Sequence, residues 1–505
     1  MSQLKNYTPA ELGIASPVMF NGVAKPVKAP DDRGARVPKV VDSLEAAIKA
    51  SGLKDGMTIS FHHAFRDGDK TLNLVVDKLA AMGFKNLILA PSSLSDCHAP
   101  LIDHIKNGVI TKIFTSGLRG KLGEAISKGL MKEPVQIHSH GGRAHLIKTG
   151  EIAIDVAFLG VPCCDDMGNA NGTGGKSRCG SLGYAMPDAQ TATYVILLTE
   201  EIVPFPNNPA SIRQDQVDGI VIVEEVGDPT RIAKGAVRFT SNPRELLLAR
   251  MTAEVIKNSG YFEEGFSMQM GTGGASLAVA RYLEREMEKR NIKADFALGG
   301  TTGHMVTLLE KGLFRKMHDV QCFDGDAVAS LGRNTDKHVE ISSNEYANFS
   351  SKGASVNKLG FVILSALEVD VDFNVNVITG SNGVFRGASG GHSDTAAGSA
   401  LSIIVSPLVR GRIPTLVERV TTIVTPGSTV DVLVTDHGIA VNPARTDLIE
   451  RLKSTNLPVL DIKELQQKAE VLTGKPEPLK FTDRVVGVIR YRDGRVIDVV
   501  RQIAE

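Results

Sequence analysis

Between Val377 and Ser399 the chain reads VITGSNGVFRGASGGHSDTAAGS, a run in which most residues that are neither glycine nor apolar could touch a polar substrate. Gly380, Gly383, Gly387, Gly390, Gly391 and Gly398 fall within it. That density weakens regular structure and suits turns of positive φ, or a ligand lying against backbone. Ser381, Asn382 and Gly383 supply a hydroxyl, an amide and a main-chain N–H. Arg386 could clamp a carboxylate, because guanidinium meets carboxylate in a bidentate fork. Gly390, Gly391 and His392 could bind or polarise the same substrate, whereas Asp394 reads better as the cap of a following turn. An ordinary glycine-rich connection is the bland alternative.

A second glycine turn, GTGG (Gly271, Thr272, Gly273, Gly274), joins a strand-like FSMQM to a long helical run. Free N–H groups and the helix dipole favour an anion there, whether phosphate or the oxyanion of acyl transfer. It lacks the lysine of a Walker loop and the third glycine of a dinucleotide fingerprint. GGTTGHM repeats the arrangement one unit later, with Gly303 and His304 at the helix start and Thr301 or Thr302 as a possible cap. His62 and His63 end another strand-like run, MTISFHHAF. Arg119 and Arg281 are weaker clamp candidates than Arg386, which sits inside a glycine loop. His138, His140 and His145 in HSHGGRAH include an H-x-H pair, but no carboxylate or Cys joins it at ligand spacing, so no metal site is expected. No G-x-S-x-G elbow points to hydrolysis.

The elements that must position these residues alternate between short apolar strands and amphipathic helices, which implies mostly parallel sheets with helices on both faces. Residues 1–39 read as an irregular arm, 40–235 as one α/β domain and 236–505 as a second, joined by the polar, Pro- and Gly-marked stretch after Glu225. Within the second, Val369 to Thr379 alternates as a strand opening into the glycine loop, and Ala400 to Val405 is the next strand. The tail RVVGVIRYRDGRVIDVVRQ reads as a hairpin turning near Asp493-Gly494. The halves echo each other: Ile154 to Gly175 parallels Val369 to Gly391, each running from an Asp-Val-x-Phe strand to a Gly-Gly pair. Two divergent copies of one fold facing each other would hold ligand in the crevice between them.

Composition narrows the rest. At 505 residues, more than one core is expected. The 57 basic and 57 acidic side chains cancel, and Trp is absent, which argues against nucleic acid and anionic membrane as partners. The start MSQLKNYTPAELG has no apolar signal core, and a cytoplasmic location is expected. Cys97, Cys163, Cys164, Cys179 and Cys322 form no C-x-x-C spacing and read as buried thiols.

ITGSNG, GGHSDTAAGSALSIIVSP and VTDHGIAVNP resemble the catalytic half of the acid CoA-transferases. IAIDVAFLGVPCCDDMGN with LGYAMPDAQTATYVILLTEE resembles their other half. EEIVPFPNNPASIRQDQVDGIVIVEEVGDP and FSMQMGTGGASLAVARYL are similar to the citrate lyase α-subunit family nearly end to end. The resemblance implies an α/β fold of two tandem CoA-transferase domains, like glucosamine-6-phosphate deaminase and ribose-5-phosphate isomerase. It implies exchange of acetyl for citryl on an acyl carrier (γ) subunit bearing a CoA-like phosphoribosyl-dephospho-CoA arm, with acetyl-CoA as a surrogate and no metal in the transfer. A citryl lyase (β) subunit and a homo-oligomeric complex are implied partners, with no nucleic acid and no membrane. Gly271, Thr272, Gly303 and His304 are the residues expected to meet the arm, and Gly390, Gly391, His392, His62 and His63 to meet citrate. Many CoA-transferases carry Ser-Glu-Asn-Gly, whose Glu forms the acyl-enzyme; here Gly380-Ser381-Asn382-Gly383 puts Ser381 at that position. A Ser without a base is a poor nucleophile. Direct attack by a citrate carboxylate is therefore expected, with Gly273, Gly274 and Gly383 N–H groups on the oxyanion and Arg386 and Asn382 on carboxylates. Another 2-hydroxy acid such as citramalate, a sugar-phosphate isomerase or deaminase, and a metabolite sensor of the same fold are the competing readings.

Overall fold

Two parallel sheets of the same strand order carry the molecule. A computed structural model describes residues 38–233, 240–271 and 274–504, so the arm expected over 1–39 falls almost wholly outside, as do Thr272 and Gly273. In chain order the first sheet is built from β1 (Val40–Val41), β2 (Thr58–Ser60), β3 (Leu87–Leu89), β4 (Ile110–Thr115), β5 (Val135–Ile137), β6 (Val156–Val161), β7 (Tyr194–Thr199) and β8 (Gly219–Ile222). The second comprises β9 (Ser267–Met270), β10 (Ala294–Thr301), β11 (Phe314–Cys322), β12 (His338–Glu340), β13 (Phe361–Ser365), β14 (Leu401–Val405), β15 (Val432–Thr435) and β16 (Gly438–Val441).

The order β8-β7-β6-β2-β3-β4-β5 in one sheet is matched by β15-β14-β13-β9-β10-β11-β12 in the other, all parallel. Such strands are covered on both faces and read as continuous apolar runs. VAFLGV of β6 and LSIIV of β14 are buried at every position. Long helices connect the strands. Pro243–Asn258 starts on an Asn242 side chain that accepts from Arg244 N, with Pro243 at the first helical position. No described helix is long and apolar enough to cross a membrane.

Three sequence expectations need correction. The strand read over Val369 to Thr379 is broken into Glu368–Asp370 and Val375–Asn376, antiparallel to each other and outside the main sheet. Asp370 causes the break: its carboxylate accepts from the N–H groups of Asp372 and Asn374, closing a turn in which Phe373 takes φ 65°. The internal repeat is therefore in a different register. Asp165 makes the same turn, with Met167 and Asn169 N–H, beside the hairpin Cys163–Cys164/Ala170–Asn171. Asn171 and Asn376 then each hold the next two residues but one, so Asp165 corresponds to Asp370 rather than Asp155. Finally, the C-terminal hairpin, β17 (Phe481–Arg490) and β18 (Val496–Ile503), read as part of the second half, pairs parallel with β5 and completes the first sheet. It buries Val486, Ile489 and Val500 in the first core, where Phe385 from the glycine loop also packs.

Candidate active site

Parallel strands place chemistry beyond their carboxyl ends, and here the ends of both sheets open onto one cavity of about 550 Å3. His63 follows β2, Arg119 follows β4 and His140 follows β5. Gly271 follows β9, Phe323 follows β11, and Leu364 and Ser365 end β13. Across the cavity lies the glycine loop from Arg386 to His392. The loop is fastened to the first half by backbone bonds: Ser389 N to Ser116 O at 2.7 Å, Leu118 N to Gly387 O at 3.0 Å and His140 N to Gly390 O at 2.7 Å.

Among the described residues four arginines line this cavity, Arg66, Arg119, Arg386 and Arg410, and no Asp or Glu does. Arg66 sits 4.7 Å above the Phe323 ring. Burial, with Arg119 nearby, pulls its pKa down to about 10. Burial also lowers Arg119, against the pull of Asp96. Arg410 donates to Ala366 O at 2.6 Å. Arg386 is aimed by its neighbour: Phe385 is 1 % exposed in the first core, and its N–H donates to Ser127 Oγ at 2.9 Å. A cluster of cations with no carboxylate among the lining residues is built for a polyanion.

The lining histidines are neutral. Burial, then Arg143 and Arg119, hold His140 at about 3. His392 is held at about 4 by burial; its Nε2 meets Ser365 O at 3.0 Å and its Nδ1 meets Thr425 Oγ1 at 2.7 Å, so the ring has no nitrogen left for substrate. Asp394 does cap a helix, but one from the other half: it accepts from Ser139 Oγ and Gly141 N, both at 2.8 Å, at the start of His140–Lys148. Burial raises Asp394 to about 6 against those two donors and Arg492.

Several expected site residues lie elsewhere. Ser381 and Asn382 are exposed; Ser381 lines a separate groove with Ile413, Leu416 and Leu479. Gly383 faces a third cavity, and its N–H is spent on Gly380 O at 2.8 Å inside its own turn, so it offers no oxyanion contact. His62 is a structural residue: Nε2 meets Gly160 O at 2.7 Å while Nδ1 accepts from Ala64 N. Gly303 N donates to Asp324 Oδ2 at 2.8 Å, with Asp326 packed beside it, so that helix start is filled by carboxylates and would repel a phosphate. Asp324 replaces Thr301 or Thr302 as the cap, and His304 lines no part of the arginine cavity. Arg281 is exposed on its helix. Gly274 begins that helix, while Thr272 and Gly273 lie outside the described residues. No group of His, Cys, Asp and Glu suited to a metal occurs among the described residues. His63, Arg386, Gly390, Gly391, His392 and Gly271 are brought together.

Arg66, Arg410, Tyr184, Gln269 and Gln321 were not legible in advance. Gln269 carried one weak signal, a polar residue near the end of the short parallel strand SMQM, whereas nothing marks Gln321 among the several polar residues of FRKMHDVQC. Arg66 and Arg410 carried none.

A family model described as "Citrate lyase, alpha subunit" matches residues 37–503. The chain is 68% identical over 468 residues to the citrate lyase alpha chain of Klebsiella pneumoniae, covering 93% of this chain and 92% of that one. It is 66% identical over 471 residues to the citrate lyase alpha chain of Escherichia coli, with the same two shares. A structure described as the alpha subunit of citrate lyase in complex with citrate, from Streptococcus mutans, superposes with TM-score 0.92 at 57% identity, covering 95% of this chain and 93% of that one. A Pseudomonas malonate decarboxylase hetero-tetramer in complex with malonate shares the fold at TM-score 0.65 and 16% identity, covering 87% and 84%.

Proposed function

The chain belongs to the citrate lyase alpha-subunit family, and on that premise we propose that the arginine cavity binds citrate while the chain exchanges acetyl for citryl on a thioester carrier. As a member of the family the chain is a citrate CoA-transferase component of the citrate lyase complex. The observation that carries the site assignment is the set of four arginines lining a cavity that no carboxylate of the described residues lines. Three citrate carboxylates compensate such a cluster; the two of citramalate do so less well. The carrier's arm and the lyase subunit are the partners this reading requires.

The chemistry follows from what the cavity lacks. An acyl-enzyme anhydride of the CoA-transferase type needs a nucleophilic carboxylate, and none of the described residues lining the cavity supplies one. One citrate carboxylate therefore attacks the acetyl thioester carbonyl, forming an acetyl–citryl anhydride as the carrier sulfur leaves as thiolate. The citryl carbonyl of that anhydride is then attacked by the same thiolate, and acetate leaves. No proton moves in either step, which suits a cavity whose histidines are neutral and whose Tyr346 hydroxyl burial pushes to higher pKa. Holding citrate against the thioester supplies about 7–11 kcal/mol of the barrier through proximity. The N–H groups of Gly390 and Gly391, which make no hydrogen bond among the described residues, take the oxyanion in place of Gly383. Gly391 has no room for a side chain there: a Cβ would lie 2.3 Å from Tyr346 Oη.

A sugar-phosphate isomerase or deaminase needs a carboxylate or histidine base beside its phosphate loop; no carboxylate of the described residues lines the cavity, and burial makes its His63, His140 and His392 imidazoles weak bases. The deciding assay supplies acetylated carrier or acetyl-CoA with labelled citrate and follows acetate release. Release with no acyl group trapped on the protein by hydroxylamine or borohydride is expected. A trapped acyl-enzyme would end the direct-attack scheme, and turnover of a sugar phosphate without a thioester would end the functional reading.

A further inference from the structure

Guanidiniums count carboxylates; they do not read what lies between them. Citrate and tricarballylate present the same three carboxylates to Arg66, Arg119, Arg386 and Arg410 and differ by one hydroxyl. Enclosing that hydroxyl without a partner would cost about 1–3 kcal/mol, so a cavity specific for citrate needs a neutral group with spare hydrogen-bonding capacity. Several polar groups in the wall are already paired, although Gln321 Oε1 and the Ser93 and Ser389 hydroxyls make no hydrogen bond among the described residues. Both nitrogens of His392 are taken, the Gln269 amide is paired with the Tyr346 hydroxyl at 2.9 Å, and Gln321 Nε2 donates to His63 O at 2.7 Å.

One part of the wall differs. His63, His140 and Tyr184 pack ring on ring, with centroids 5.2, 4.6 and 4.3 Å apart pairwise, at the cavity. His63 commits Nδ1 to Ser92 Oγ at 2.6 Å. Neither the His140 ring nitrogens nor the Tyr184 hydroxyl makes a hydrogen bond among the described residues; His140 Nδ1 is buried, which leaves Nε2 as the nitrogen able to meet a ligand. Arg66 and Arg119 act on this trio, and burial with Arg143 and Arg119 keeps the His140 imidazole neutral, hence a hydrogen-bonding group rather than a fifth cation. Ring stacking holds the polar atoms in place without a hydrogen-bonded network that would consume them.

We propose that His140 and Tyr184, braced by His63, receive the hydroxyl of the bound tricarboxylate and so select citrate over a tricarboxylate that lacks one. The proposal rests on citrate occupying the arginine cavity. A site built around a substrate hydroxyl rejects the analogue without it because its own polar groups are then left unpaired.

Calorimetric binding of citrate and of tricarballylate to the full chain, wild type and the Tyr184→Phe and His140→Phe variants, tests it. Both variants keep a ring in the stack and remove only polar atoms. In the wild type citrate is expected to bind at least about tenfold tighter than tricarballylate, and each variant to lower that ratio by about three- to tenfold, the worth of one neutral hydrogen bond, with the tricarballylate Kd nearly unchanged. An unchanged ratio in either folded variant overturns the proposal, as does equal weakening of both ligands, which a purely structural role would give. Because binding is read without turnover, a lowered ratio with no acetate release in the exchange assay would support this inference and refute the exchange reading alone.

Discussion

At the scale of single residues, the glycine loop divides into a working part and a supporting part. Arg386 sits at the cavity because Phe385 is anchored in the opposite core, whereas Ser381, five residues earlier, faces out of the same hairpin. Replacing Arg386 by Gln removes one charge-assisted contact to citrate, worth about 1.5–3 kcal/mol. The citrate Kd, read by titration calorimetry, should rise by about 10- to 150-fold. Ser381→Ala alters an exposed side chain outside the cavity, so the acetate-release rate should stay within about twofold, the range of a neutral surface change. A large loss in that variant would return Ser381 to the chemistry.

At the scale of elements, the helix His140–Lys148 is capped from both halves. Ser139 accepts from Gly142 N in the usual local way, and Asp394 accepts from Ser139 Oγ and Gly141 N across the seam. Asp394→Ala leaves two buried donors without partners, at a cost of about 1–3 kcal/mol. Denaturant unfolding should show that loss as a lower midpoint at unchanged slope. The exchange rate should fall with it, since His140 and Gly390 meet at the same point. An unchanged midpoint would mean that water or a shifted Ser139 replaces the carboxylate.

At the scale of the whole molecule, cations from two sheets converge on a cavity that no described carboxylate lines, so ligand and pH should both register in global stability. Citrate should raise the melting temperature in step with RT ln(1 + [L]/Kd), about 2.7 kcal/mol at a hundredfold excess over Kd, and added salt should weaken the effect. Scanning calorimetry at several citrate concentrations checks this. Five buried histidines, His62, His63, His138, His140 and His392, are held below the ordinary histidine value mainly by burial. An unfolded chain takes up protons below about pH 6.5 that the folded one refuses. Their contribution is therefore complete above that pH and is lost as pH falls toward about 4 for His392 and about 3 for His140. Each refused proton costs about 1.4 kcal/mol per pH unit. Asp394, raised to about 6, acts in the opposite sense: its contribution is present below its ordinary 3.8 and lost as pH rises through about 6. His98, raised to about 9 by Asp69 despite its burial, contributes below its ordinary 6.5 and loses that contribution through about pH 9. Among the described residues three carboxylates, Asp394, Glu340 and Asp370, are raised against seven lowered imidazoles, His304 and His318 joining the five, so the melting temperature should decline from pH 6.5 to 4; a flat or rising profile would contradict the burial of those rings.

What the chain determines by itself is local or repeated: alternating apolar strands and helices, two copies of one α/β unit, and a glycine loop with Arg386, Gly390 and Gly391 at the site. Those features are written in periodicity and in residue types that only a few backbone geometries tolerate. Tertiary structure decided which loop residues face the cavity. The Asp370 turn breaks the strand that alternation implied, and Phe385, anchored in the first core, leaves Arg386 at the rim of the arginine cavity while Ser381 lines a separate groove. It also decided that Arg66 and Arg410, more than three hundred residues apart and without any local mark, should share a wall with Arg119. Convergence of like charges is a property of space, set by two strand ends meeting, and sequence spacing carries no record of it.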